Sequence, residues 1–349
     1  MPSKRWPTPQ PEVHREPLRE TWLRRAITFP LYFLMFALWS AALLPLIVIA
    51  IPVDLLRQKQ FVMLRAVLFF ELYLICEIVG IISSFTLWLV AGPWTGRENT
   101  SWIHANRALQ YRWGRALGGG AFAIFGIRVS VDADERFGTR PILLMIRHAS
   151  TADTILAVNF ISIPYNLPLR YVLKRELLWD PSLDIVGNRI PNVFVDRKSR
   201  TPAAEIESVG QLLVGLEPSE GVLIYPEGTR FSVAKRERIA EKFEKAGDLD
   251  SAAFTRSLQS VLPPRSAGPS VLLERNPGLD IVICAHSGFE GSASFADFWN
   301  GKLVGSHVQI RLRSFAPDQI PTDSAERTEW LRERWREVDA FVSSPPPTG

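Results

Sequence analysis

Cysteine is nearly absent: Cys76 and Cys284 are the only two in 349 residues, and each lies inside an apolar run. With no Cys-x-x-Cys pair and no paired framework, the chain has neither a disulfide scaffold nor the ligand spacing of a zinc site. Neither thiol has the charged surroundings that activate a nucleophilic cysteine, and no Gly-x-Ser-x-Gly elbow offers a serine instead. Gly118-Gly119-Gly120 is not followed by Gly-Lys-Ser/Thr, so it is no phosphate loop and reads as a helix stop or a close-packing point. Charge of one sign is not in excess: 40 Lys and Arg against 36 Asp and Glu leave a formal charge of +4. That is too little to imply nucleic acid and suits an anionic membrane surface.

The most informative absence is local. From Ala26 to Val53 there is no charged residue, a run whose helical length exceeds a hydrocarbon core of about 30 Å. It is about twice the length of a signal-peptide apolar region, and no small-residue cleavage site follows it. Pro45 and Pro52 predict a kink or an early end. A second apolar run, Ala66 to Ala91, is interrupted by Glu71 and Glu77, which need protein, water or a basic partner at bilayer depth. Two geometries follow, a hairpin that crosses twice or a pair of helices dipping into one leaflet. The basic link between the runs (Arg57, Lys59, Arg65) favours the shallow form. The basic lead-in and the arginines after Gly96 place the rest of the chain on the cytoplasmic side of an inner membrane. Between Asn99 and Phe125 an amphipathic helix is expected, lying at the headgroups or packed on the domain.

After Gly126, short β-type runs alternate with helical segments. Strands are expected at 127–131, 141–147, 169–174, 192–196, 221–225, 279–285 and 307–312, with helices at 152–161, 201–216 and 324–342. The fold class is α/β, a mixed sheet flanked by helices and preceded by a two-helix membrane hairpin. The expected organisation is a basic lead-in (1–25), the hairpin (26–95), an α/β domain (96–342) with a charged insertion (231–270) that is helical and exposed over 236–249, and a loose tail (343–349).

Four stretches carry chemistry. In Arg147-His148-Ala149-Ser150-Thr151-Ala152-Asp153, His148 would end a strand and Asp153 would open a helix capped by Ser150 or Thr151. The pair would then form a general base with its orienting carboxylate. Glu227-Gly228-Thr229-Arg230 follows an apolar strand and suits an anion: glycine admits close approach, threonine gives a hydroxyl and arginine a planar fork. Lys174-Arg175 sits at a strand end, where parallel sheets bind ligands. The segment from Gly187 to Arg197 brackets a strand with Arg189 and Arg197. His286 would also end a strand and competes as a base, while His14, His104 and His307 are peripheral.

Together these stretches resemble the glycerophospholipid acyltransferase superfamily, particularly the 1-acylglycerol-3-phosphate acyltransferases, over roughly Gly126 to Ala285. The motifs are His-x4-Asp (His148, Asp153), the glycine-led block ending in Asp196-Arg197, and Glu227-Gly228-Thr229-Arg230. Arg147 stands where asparagine is common, and the block at Ile281 to His286 lacks its usual proline. The insertion followed by Leu262-Pro263-Pro264-Arg265 is similar to the lysophosphatidate and lysocardiolipin branch. The resemblance implies a membrane-bound enzyme moving a fatty acyl group from acyl-CoA or acyl-carrier-protein to the sn-2 hydroxyl of lysophosphatidic acid, or of a lysocardiolipin or lysophosphatidylinositol type acceptor. A lipid hydrolase and a non-catalytic lipid-binding protein are the alternatives. His148 and Asp153 would be catalytic. Lys174, Arg197, Glu227, Gly228, Thr229 and Arg230 would bind substrate. No metal or cofactor beyond the acyl thioester is expected. The partners are the lysophospholipid, membrane lipids and acyl carrier protein, with no nucleic acid.

Overall fold

The computed structural model describes residues 16–92, 99–138, 140–150, 153–196, 201–290 and 295–344. Each of the seven expected strands forms: β1 (Arg128–Ala133), β2 (Ile142–Ile146), β3 (Leu169–Lys174), β4 (Val193–Val195), β5 (Gly221–Ile224), β6 (Asp280–Ser287) and β7 (His307–Phe315). They make one sheet in the order β1-β7-β6-β2-β5-β3-β4. All neighbouring pairs are parallel except β6 and β7. The sheet is therefore mixed.

The helices are α1 (Leu18–Arg57), α2 (Val62–Ala91), α3 (Thr100–Phe125), α4 (Asp153–Ala157), α5 (Pro181–Gly187), α6 (Pro202–Gly210), α7 (Val233–Lys245), α8 (Leu249–Ser257), α9 (Ala267–Glu274), α10 (Phe295–Trp299) and α11 (Ser324–Ser343). The central strand β2 is apolar throughout because both its faces are covered. Ile142, Leu144 and Ile146 join a core with Phe125 of α3 and Leu156 of α4. Leu143 and Met145 join another with Val209 of α6, Phe254 of α8, Leu272 of α9 and Trp335 of α11.

α1 and α2 are both long and apolar enough to cross a membrane. α1 departs from expectation at each end. It begins at Leu18, inside the expected lead-in, and continues through Pro30, Pro45 and Pro52 to Arg57. Both ends are tied to the α/β body. Arg24 and Arg25 donate to Asp184 of α5 at 2.8 and 2.7 Å, while Arg57 donates to the Trp299 carbonyl at 2.9 Å and stacks over that indole. The turn into α2 is tight, with Gln58, Gln60 and Phe61 at positive φ. Asp54 closes it by accepting from the Met63 and Leu64 amides at 3.0 and 2.8 Å. This caps α2 from the preceding helix.

The two acids of α2 face protein. Glu71 accepts from Ser40 of α1 at 2.9 Å. Glu77 accepts from the Trp113 indole at 3.0 Å and the Ser182 amide at 3.1 Å, joining α2 to α3 and α5. α3 packs on the body, burying Trp102, Ile103, Leu117 and Phe125. Gly118 to Gly120 lie inside it and do not stop it: a Cβ on Gly118 would strike Asn159, and one on Gly120 would strike Leu72. In the charged insertion α7 is the expected exposed helix, burying only Ala240, and α8 beyond it buries Ala252, Phe254 and Thr255. Arg332 of α11 donates to the Ser251 hydroxyl at 2.7 Å, pinning α8 to the last helix.

Candidate active site

The ends of parallel strands β2, β3, β4 and β5 open on one side of the sheet, the edge where such folds bind ligands. A cavity of about 290 Å³ lies there, walled by apolar residues including Val172, Leu173, Leu177, Ile206 and Val209, with His148 and Lys174 in its lining. His148 follows β2 directly and keeps a side chain 19% exposed. Its Nδ1 donates to Asp153 Oδ2 at 3.0 Å. Among the described residues, Nε2 of that ring has no hydrogen-bond partner.

Asp153 is fully buried at the start of α4. It accepts from the Ala149 and Ser150 amides at 2.7 and 2.9 Å and from the Ser150 hydroxyl at 3.1 Å. Burial pushes this carboxyl up, but His286, His148 and the amides around it outweigh that and hold it below the usual carboxylate range. It is an anion that fixes the His148 tautomer. Tyr225 closes the other side, its ring 4.7 Å from the imidazole and its hydroxyl donating to the Asp153 carbonyl at 3.1 Å.

The turn after β5 is bonded to the same loop. Glu227, 1% exposed, accepts from the His148 amide and the Leu262 amide, both at 2.9 Å. Burial pushes its carboxyl up to about 8, because two amides do not replace the lost water. Gly228 has φ +65°, which favours glycine, and a Cβ there would lie 2.6 Å from Arg265 Nε. Lys235 of α7 donates to the Thr229 hydroxyl at 3.3 Å and to the Arg230 carbonyl at 2.9 Å. The Phe231 amide donates to the His148 carbonyl at 3.2 Å. The two motifs thus hold each other's backbone.

Of the sequence-selected residues, His148, Lys174 and Gly228 line the cavity, and Asp153 and Glu227 stand behind it. Lys174 also pairs with Glu176 at 2.9 Å. Thr229 and Arg230 lie on the turn beyond Gly228, outside the lining. Arg197 falls outside the described residues. Arg189 belongs elsewhere: it stacks on Trp102 and donates to the Ser84 carbonyl at 2.9 Å, fastening α2 and α3.

Three features escape sequence reasoning. Arg265 lines the cavity beside His148, from a proline-rich stretch with no periodic signal. Arg147 is 1% exposed and is a structural clamp: it donates to the His286 carbonyl at 2.6 Å, Glu290 at 2.7 Å and the Ser260 carbonyl at 3.1 Å. His286 is wholly buried and absent from the cavity lining, so it does not compete with His148 for a substrate. Cys284 is equally buried, and burial pushes its thiol well above the usual range, so it is no nucleophile.

A family model described as Acyltransferase matches residues 128–256. The chain is 30% identical over 208 residues to the 1-acyl-sn-glycerol-3-phosphate acyltransferase of Pseudomonas aeruginosa, an alignment covering 56% of this chain and 76% of that protein. It is 23% identical to lysocardiolipin acyltransferase 1 of Mus musculus, over 63% of this chain and 58% of that one. The fold is similar to that of the 1-acyl-sn-glycerophosphate acyltransferase PlsC from Thermotoga maritima. The TM-score is 0.52 at 15% identity, over 81% of this chain and 98% of that chain. With 30% identity over 76% of the Pseudomonas aeruginosa protein, the chain belongs to the glycerophospholipid acyltransferase superfamily, as an acyltransferase of the 1-acyl-sn-glycerol-3-phosphate type.

Proposed function

We propose that this enzyme transfers a fatty acyl group from an acyl thioester, acyl-CoA or acyl-carrier-protein, to the free sn-2 hydroxyl of lysophosphatidic acid, giving phosphatidic acid. The carrying observation is the His148–Asp153 pair, whose outer imidazole nitrogen has no partner among the described residues and whose ring lines an apolar cavity. His148 Nε2 takes the hydroxyl proton as the oxygen attacks the thioester carbonyl, and Asp153 stabilises the imidazolium that forms. The C–S bond then breaks and the leaving thiolate takes the proton from the His148 imidazolium; the acyl group passes directly to the acceptor oxygen, so no acyl-enzyme is formed. Lys174 and Arg265, which line the cavity with His148, supply positive charge to the acceptor phosphate, joined by Thr229 and Arg230 of the adjoining turn and by Arg197. Glu227 keeps the His148 amide in place. The apolar walls take the acyl chain.

The same reading makes the protein membrane-bound, with α1 and α2 lying along one leaflet on the cytoplasmic face. Exposed Trp22, Leu31, Leu38, Leu44, Val48 and Leu56 supply the apolar contact along α1. A helix spanning the bilayer would separate its ends by about 30 Å of hydrocarbon. Contacts from both ends of α1 to the α/β body favour the in-plane arrangement.

The test offers purified protein a panel of lysophospholipids with labelled acyl-CoA and acyl-carrier-protein. Lysophosphatidate with one of the donors is expected to give labelled phosphatidate. His148→Ala should lose about 10³-fold or more in kcat, and Arg265→Ala should chiefly raise the KM for the acceptor. Wild-type turnover by His148→Ala, or a different headgroup as sole acceptor, would overturn the assignment.

A further inference from the structure

His286 ends β6 with its ring turned toward Asp153 and away from the cavity. Its Nε2 lies 3.0 Å from the Arg147 carbonyl oxygen and 3.6 Å from Asp153 Oδ1. A carbonyl oxygen only accepts, so Nε2 carries the proton. Nδ1 is buried with no partner among the described residues, which gives a second proton nothing to bond. Burial holds the ring below its usual range against the pull of Asp153. The ring is therefore neutral, with an N–H aimed between a carbonyl and a carboxylate. Phe289 covers its edge at 5.8 Å.

Asp153 is thus flanked by two imidazoles, His148 on Oδ2 and His286 beside Oδ1. The charged groups facing the inner ring are Asp153 from α4, Arg147 from the end of β2 and Glu290 from the loop after β6. Tyr225 and Cys284 also face Asp153, and burial keeps both neutral.

We propose that His286 is a positioning residue for the transfer reaction. The positive end of its N–H dipole, set against the rear oxygen of Asp153, limits how strongly that carboxylate draws a proton onto His148. His148 is thereby kept unprotonated, and available as a base, at lower pH than a bare His–Asp pair would allow. This deepens the acyl-transfer reading and rests on His148 and Asp153 being its working pair.

Two isosteric variants test it. In His286→Gln the amide nitrogen takes the place of Nε2, whereas in His286→Asn the donor stops one bond short, at the place of Nδ1. The rate at which diethyl pyrocarbonate modifies His148, read by peptide mass spectrometry across pH, reports when that ring is protonated and needs no substrate. His286→Asn should raise the midpoint by about half a unit to one unit, and His286→Gln should stay with the wild type. With lysophosphatidate and acyl-CoA, the acid limb of the kcat/KM profile should move likewise. Superimposable curves for all three proteins, or an equal shift in both variants, would reduce His286 to a packing residue. If the protein transfers no acyl group, the acyl-transfer reading falls, and the modification curves still decide the role of His286.

Discussion

Glu227 and Asp153 show how two buried carboxyls in one site take opposite charge states. Asp153 has two amides, a hydroxyl and two imidazoles around it, and these outweigh burial. Glu227 has two backbone amides, and burial wins, lifting it to about 8. Between the ordinary carboxyl range and that value, folded protein keeps a proton that unfolded chain has lost. Stability therefore falls as pH rises through the window, by up to about 1.4 kcal/mol per pH unit for one proton. Glu227→Gln, which has no proton to lose, should flatten that slope. Chemical denaturation at several pH values in detergent checks this, and equal slopes in the two proteins would sink it. His148, Asp153 and the Glu227 turn were legible because each sits where an apolar run ends, a boundary that local sequence marks well. Arg147 was not, because its partners Ser260, His286 and Glu290 lie more than a hundred positions away and only the sheet brings them near.

All seven strands were legible, since strands buried on both faces must be apolar runs. The short helices α5, α9 and α10 were not, being too brief for an amphipathic period to emerge. α5 does carry a local signal: Asp180 caps it by accepting from the Leu183 amide at 3.0 Å, with Pro181 following as the first helical residue. The hairpin was legible as apolar length and the shallow form as its basic link, and the way it is fastened to the body was not. The contacts that orient it, Arg24 and Arg25 with Asp184 and Arg57 with Trp299, join residues far apart in sequence. For an in-plane α1, Arg19→Cys and Lys59→Cys, at exposed polar positions at its two ends, should both react with an impermeant maleimide from the side that carries the catalytic domain. Protection of one of the two in sealed vesicles would mean that the helix crosses.

At the scale of the whole molecule, the site is held by segments that the matched family region, residues 128–256, does not contain. Ser260, whose carbonyl receives Arg147, is itself fixed by α11: Asp339 accepts from the Gln259 and Ser260 amides at 2.9 and 2.6 Å. Asp339→Ala leaves those two amides short of an acceptor, at about 1–3 kcal/mol. It should lower kcat while the protein remains folded. Unchanged kcat alongside a lowered Tm would separate α11 from the site.

The position of Asp339 also bears on how the polypeptide is made. It lies close to the C-terminal end of α11, so α11 must have left the ribosome before the clamp around Arg147 can close. A prematurely terminated product would carry His148, Asp153, Lys174 and Arg265 and still hold a slack site. Acyl transfer would then begin only once α11 has been made and has packed against the body.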